Sequence, residues 1–546
     1  MKSTALSLTI DCKEPIANVP AVWRSFGYDE INWTYTPRGK QIFREIARLS
    51  SEPYYIRCHH TFTTGNGLST PTKGSGNVCG LNGHKQLVYD FTIFDQVLET
   101  FLNHNCKPIV ELGFMPDFLS KGPKPKPTYD YSGSDLWMYP PKDFRQWADL
   151  VYETVRHCVE KFGEAEVRSW YWEVWNEPDN PGFFKGSVKD YCKIYDHAVD
   201  GAVRALPSIK IGGPALARSP GFLNTFLKHC VSGKNYATGQ RSVRLDFISL
   251  HTKGTGWPLP EQPFEMPSLQ TIVSYWQRYQ EILQKYPSLK DTEILFDECD
   301  MAVATDYGVH DFPEYRIHNS EYYPIFVVRM AKRLLDFISA TKMPVKLFTT
   351  WAFYLEGKRF FEGNRALFTN ENIKMPIFNA FVMLEMLGET RLKMQINSFH
   401  ERSFSYEEFP RIDGLATLDE RRAICAIIWN FTENEARVGV ENLQVQFKNL
   451  PVQWESVDVE FYRVCREFSN SHTVWQSLGA SQDPDPEQIQ KIKEKENLQQ
   501  VEVLREVPIS QSTLTHVLEL PAQSMVLMKI IPVPAKVIQI EENLSQ

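Results

Sequence analysis

Trp172-Glu173-Val174-Trp175-Asn176-Glu177-Pro178-Asp179 joins an aromatic run to a polar turn. An apolar run containing Trp170, Tyr171, Trp172 and Trp175 reads as a strand. Pro178 ends it, because proline has no amide hydrogen for a ladder and disfavours helix in the residue before it. A carboxylate, Glu177, and an amide, Asn176, then stand together at the strand's C-terminal end.

On either side of it one unit recurs, from about residue 20 to 390: a short apolar run, a polar loop and an amphipathic stretch. The strand candidates are 22–28, 54–59, 108–114, 170–175, 209–212, 247–251, 294–296 and 347–353. Helix-like segments lie at 41–49, 91–103, 144–162, 189–206, 269–284, 322–338 and 376–387. Strand–helix alternation implies parallel pairing with crossover helices, and eight such strands close a barrel. The expected fold class is therefore α/β, a (β/α)8 TIM barrel over 15–390. After residue 390 the texture changes to short strands between turns, at 423–431, 436–440, 457–464 and 524–531. This reads as a C-terminal β-sandwich over 391–535, with a strand at 4–11 available to complete it and a tail at 536–546. The charged stretch 483–500 reads as a solvated helix or loop.

Bulk properties narrow the function classes. Across 546 residues the hydrophobic fraction is 42%, with 13 Trp, 23 Tyr and 34 Phe, enough for a large core with aromatics left to stack on sugar faces. A net charge of −8 argues against nucleic acid, which calls for a basic stripe. There is no apolar run of about 18 residues, so no membrane span is expected. The ten cysteines are scattered singly. With a weak secretion signal at 1–15, they suit a reducing compartment, and a cytoplasmic protein is expected.

The strand ends carry the chemistry. His59 ends the second run, Glu177 follows the fourth, His251 ends the sixth and Glu298 follows the seventh. Active sites of such barrels sit on that face. Glu298 lies in Phe296-Asp297-Glu298-Cys299-Asp300, and three acids so close raise one another's proton affinity. Asp297 and Asp300 compete with Glu298 for its role. Two carboxyl groups facing across a barrel fit glycoside hydrolysis, one giving a proton to the leaving oxygen and the other attacking. A gap of about 5–5.5 Å gives retention and a wider one inversion. Asn176 can bond a sugar 2-hydroxyl. His59 and His251 would bond hydroxyls or orient the glutamates, with His60 the alternative to His59 according to the side of the strand it occupies. Glu111 and Glu173 read as supporting. No HExxH or Cys/His spacing is present, so neither metal nor cofactor is expected.

These segments, with Ile56-Arg57-Cys58-His59, Val110 to Pro116, Ile211-Gly212-Gly213-Pro214, Phe247 to His251 and Trp475-Gln476-Ser477-Leu478-Gly479, resemble glycoside hydrolase family 39, the β-xylosidases and α-L-iduronidase. The resemblance covers nearly the whole chain. It implies Glu177 as acid/base and Glu298 as nucleophile of a retaining exo-glycosidase acting on an oligosaccharide or glycoside. The long loops 65–83 and 121–141 favour an exo mode. Val243 to Gly254 is similar to the iduronidase stretch whose lysine meets a uronate carboxylate, which implies that role for Lys253. Arg365 falls where that pattern has a carboxylate-binding arginine. The aspartate expected a turn earlier is missing from Thr350-Trp351-Ala352-Phe353, and Glu356 is the nearest acid. The resemblance thus leans towards a uronic acid, with a β-D-xylosidase as the alternative. A carbohydrate-binding protein without turnover is the rival from another class, and an oligomer is compatible with the sequence.

Overall fold

The computed structural model describes residues 6–533, apart from 66, 68–73, 85, 124–134, 259–260, 304–306, 353–358, 399, 403–408 and 434–437. Its eight barrel strands are Ser25–Tyr28, Tyr54–Cys58, Cys106–Leu112, Tyr171–Val174, Ile211–Leu216, Phe247–Lys253, Glu293–Asp300 and Val345–Phe348. Each pairs in parallel with the next. A parallel bridge from Phe26 to Thr350, with Phe348 N donating to Val22 O at 2.7 Å, joins the eighth strand to the first and closes the barrel.

Period-two alternation sorts the interior into layers. Ile109, Tyr171, Phe247, Leu295 and Leu347 form an apolar plug, with Tyr55 packed against it. Two residues further along the same strands stand Arg57, Glu111, Glu173, Ser249 and Asp297, each 0% exposed. The top of the core is therefore ionic, and it carries the site.

Two strands run longer than their apolar runs suggest, so Glu298 and Lys253 lie inside strands instead of after them. The fifth strand sits at Ile211–Leu216, shifted from the 209–212 expected. A helix absent from the sequence reading, Pro220–Ser232, crosses from the fifth strand to the sixth. Ser219 caps it, its Oγ accepting from Phe222 N at 3.3 Å, and proline fills the first turn.

The second module is a large sheet folded around its own core of Leu8, Ile10, Ile428, Val445, Phe447 and Met528. Ser7–Asn18 runs antiparallel to Thr390–Ser398 and parallel to Val440–Lys448, so the start of the chain lies in the middle of this sheet. Within the charged stretch, Pro486–Lys493 is a helix capped by Asp485. Asp413 of the sheet accepts from Lys332 and Arg333 of the barrel at 3.0 and 2.6 Å, buried contacts that bind the modules together. Among the described residues no helix is long and apolar enough to cross a membrane.

Candidate active site

Glu177 enters the barrel mouth on a sharp turn. Trp175 and Glu177 take φ values of 72° and 43°, left-handed for residues with side chains, and Glu177 N donates to Ala215 O at 2.9 Å. The carboxylate is then held on both oxygens: Oε1 lies 2.9 Å from His251 Nδ1, and Oε2 accepts from Asn180 Nδ2 at 2.6 Å.

Opposite it, Glu298 is ringed by cations. Arg57 Nη1 donates to Oε1 at 3.0 Å, and Lys253 Nζ pairs with Oε2 at 2.9 Å. His59 Nε2 stands 3.5 Å from Oε1 and His251 Nδ1 3.7 Å from Oε2. Burial alone would raise the proton affinity of this carboxyl. The charges of His251, Lys253, Arg57 and His59 outweigh it and hold Glu298 well below the usual carboxylate range. A carboxylate oxygen of Glu177 and one of Glu298 approach within 4.8 Å, with His251 between them.

Arg57 organises the floor. Its Nε donates to Glu173 Oε2 at 2.6 Å and its Nη2 to Asn176 Oδ1 at 2.8 Å, and Glu111 and Asp297 lie 3.3 Å away. Burial raises Glu173 well above the usual carboxylate range, whereas His251 and Arg57 overcome burial at Asp297 and lower it. The two neighbouring carboxyl groups are thereby driven in opposite directions. His59 Nδ1 is bonded to Glu111 Oε2 at 2.6 Å, which fixes the imidazole's orientation.

For His251, burial disfavours the charged form, but Glu298 and Asp297 overcome this and push it up to about 10. A raised folded value means that the stabilisation is complete below the unfolded histidine range of about 6.5 and is lost as pH rises through about 10. We expect the denaturation midpoint to fall over that window, and His251→Gln to flatten the dependence. An unchanged slope in the variant would assign it to other groups.

The cavity above these groups has a volume of about 450 Å³. A model of the family Glycosyl hydrolases family 39 matches residues 47–512. The chain belongs to glycoside hydrolase family 39. Among its relatives, a β-xylosidase of Geobacillus stearothermophilus is 24% identical over 443 residues, covering 79% of this chain and 78% of that protein. Human α-L-iduronidase is 31% identical over 229 residues, 40% of this chain and 30% of that protein. In three dimensions, a bacterial orthologue of human α-L-iduronidase aligns at 21% identity with a TM-score of 0.77, covering 97% of this chain and 84% of that one. A monomeric β-xylosidase of Caulobacter crescentus gives 20% and 0.73, covering 97% and 100%. The protein is thus a family 39 hydrolase with a carbohydrate substrate.

Within that family frame, the residues read from sequence divide into three groups. His59, Glu177, His251, Lys253 and Glu298 all line the cavity. Asn176 lies just behind it, fully buried, with an Nδ2 that has no hydrogen-bond partner among the described residues. Arg365 stands apart from them. It is fully buried and not part of the cavity lining, paired with Asp300 Oδ2 at 3.2 Å and donating to Val303 O at 2.6 Å. Glu356 lies outside the described residues. Of the competing acids, Asp297 lies beneath Glu298, Asp300 is held by Tyr323 at 2.8 Å, and neither lines the cavity. His60 turns away to Thr63 Oγ1 at 3.0 Å, which leaves His59 as the inward ring.

Sequence reasoning overlooked Arg57, Asp29 and Trp351. Arg57 had a signal, a charge in the inward register of an apolar strand, whereas Asp29 and Trp351 carry none in isolation. Glu177, His251 and Glu298 could offer a metal three ligand atoms. However, Glu298 already faces Arg57 and Lys253, whose charges would repel a further cation.

Proposed function

We propose that this family 39 enzyme is a retaining exo-glycosidase in which Glu298 attacks the anomeric carbon and Glu177 serves as acid and then base. The observation that carries the reading is that one oxygen of Glu177 and one of Glu298 lie within 4.8 Å of each other. Retaining enzymes hold them about 5–5.5 Å apart and inverting ones about 6.5–9.5 Å, which leaves room for a water. In the first step a Glu298 oxygen forms the bond to the anomeric carbon, the glycosidic C–O bond breaks, and the leaving oxygen takes the proton of Glu177. In the second, water gives a proton to Glu177, attacks the same carbon and releases Glu298. Esterification removes the charge of Glu298 and leaves Arg57, Lys253 and His251 uncompensated. That favours ionised Glu177 when a base is needed.

For the terminal sugar, the cavity supports a neutral β-D-xyloside best. Lys253 is charge-matched by Glu298 and Arg365 by Asp300, so neither of these two cations stands unmatched without a substrate carboxylate. In sequence, a relative named β-xylosidase matches over 79% of the chain and one named α-L-iduronidase over 54%, whereas in three dimensions an orthologue of human α-L-iduronidase and a β-xylosidase each align over 97%. A uronide is the second reading, favoured by the ammonium of Lys253 in the cavity wall. A panel of nitrophenyl xylosides, glucuronides, iduronides and arabinosides decides between them. The expected result is highest kcat/KM on the β-D-xyloside; a preference for a uronide, lost in Lys253→Ala, would reverse the assignment.

Glu177→Ala should slow substrates with poor leaving groups far more than activated aryl glycosides, because an acid matters most where the leaving oxygen needs a proton. Azide should then accelerate deglycosylation and appear in the product as a glycosyl azide. Equal slowing of both substrate classes, without azide product, would remove Glu177 from this role.

A further inference from the structure

A second cavity, of about 370 Å³, opens where the two modules meet and shares no lining residue with the catalytic one. That volume falls in the range of small-molecule sites, about 300–1,000 Å³. Its barrel wall carries Arg316, from Pro313–Asn319, and Glu321, which starts the helix Tyr322–Thr341. The other wall belongs to the C-terminal module: Arg466, His472 and Gln476 in and before the helix Ser471–Ser477, and Gln523 in the turn before the strand Ser524–Pro532. Asn470 Nδ2 donates to Glu321 Oε2 at 2.9 Å and ties the two walls together. Two of the lining polar side chains are more than nine-tenths buried, His472 at 6% and Gln523 at 9% exposure. Gln523 Nε2 donates to Thr432 O at 2.7 Å, while its Oε1 has no hydrogen-bond partner among the described residues. The His472 ring is set by Trp475 and Phe361, at centroid distances of 5.6 and 5.2 Å, and among the described residues its nitrogens make no hydrogen bond. Burial pushes that imidazole down to about 4, so near neutral pH it offers one donor and one acceptor. Buried polar groups are nearly always hydrogen-bonded, so both side chains point to a bound partner.

We infer that the cavity between the modules is a second binding site, separate from catalysis, for a neutral saccharide ring. Charge argues against an anion. The guanidinium groups of Arg316 and Arg466 at the rim are countered by Glu321 and by Glu467, whose charges meet there. The unmatched atom of Gln523 is an acceptor, which repels an anion and takes a hydroxyl. A sugar hydroxyl donates and accepts at once, so one ring can meet Gln523 Oε1, the His472 imidazole and the Glu321 carboxylate together, with Gln476 at the opening. The inference stands whichever terminal sugar the catalytic cavity takes.

Calorimetric titration of the full chain with D-xylose, D-glucose and inorganic phosphate in turn tests it, with crystals soaked in the sugar that binds to locate the ring. A neutral sugar should bind in solution and occupy the second cavity. Gln523→Leu, which keeps the volume and removes the acceptor, and His472→Phe, which keeps the ring packing, should each weaken that binding about threefold to tenfold, the scale of one hydrogen bond. In both variants kcat/KM on an aryl glycoside should stay within about twofold. Gln476→Ala, at the exposed rim where folding does not depend on it, should weaken binding in smaller measure with the same catalytic silence. Sugar binding that is unchanged in all three variants, a ring found in the catalytic cavity alone, or binding of phosphate with the sugars excluded overturns the site. So do equal losses of binding and kcat/KM, and a ring in the soaked crystal without measurable binding in solution, which is binding at crystal concentration only.

Discussion

Replacing Glu298 with alanine is expected to lower kcat by on the order of 10⁴-fold or more, because removing a nucleophile removes the reaction path and not just a contact. Asp297→Ala, one residue away, should disturb His251 and Arg57 and cost much less. The difference follows from the cavity: Glu298 lines it, and Asp297 is fully buried below. The fold should survive in Glu298→Ala, since the variant removes one of several anions around Arg57. Steady-state kinetics with circular dichroism as the folding control checks both points. Wild-type turnover in Glu298→Ala, with collapse in Asp297→Ala, would move the nucleophile one residue back along the strand.

Arg57→Met is expected to be the most destabilising single change in the barrel. The guanidinium is 0% exposed and touches Glu111, Glu173, Asp297 and Glu298. Removing the cation from a buried ionic cluster costs roughly 3–5 kcal/mol, because carboxylates are left charged and unmatched. A denaturant titration of the barrel transition measures it. A second readout separates stability from chemistry. Glu298 is held well below its usual range partly by Arg57, so its stabilising effect is present above the unfolded carboxylate value and lost as pH falls through the folded one. Losing Arg57 should therefore move the acidic limb of kcat/KM to higher pH. Arg57→Lys keeps the charge but not the forked geometry and should recover only part of both effects. If the limb stays in place, Arg57 is structural only.

Much of this architecture is legible in the sequence. Eight apolar runs at barrel spacing give the parallel sheet, and Asn176-Glu177-Pro178 marks its catalytic edge. The helix at Pro220–Ser232 was also legible in principle, through the capping serine and the proline, but its apolar positions are interrupted enough to read as loop. Strand lengths were less accessible. Glu293–Asp300 carries three acids at its end, and only partners buried in the barrel interior make an acidic segment a strand. Arg365 shows the limit most clearly. Sequence position placed it near a sugar, yet its guanidinium is taken by Asp300, a pairing across 65 residues that one chain alone does not advertise. The ionic layer around Arg57 was hidden for the same reason: each acid is ordinary in its own strand, and only barrel closure brings them together.

The stereochemistry of hydrolysis tests the two-glutamate mechanism most directly. Proton NMR of the first-formed sugar, recorded before mutarotation, reports which anomer leaves the enzyme. With a Glu177 oxygen and a Glu298 oxygen within 4.8 Å, the close approach of a retaining pair, the product should carry the configuration of the substrate. The opposite anomer as first product would mean that water attacks directly and that Glu298 never forms a bond to the sugar.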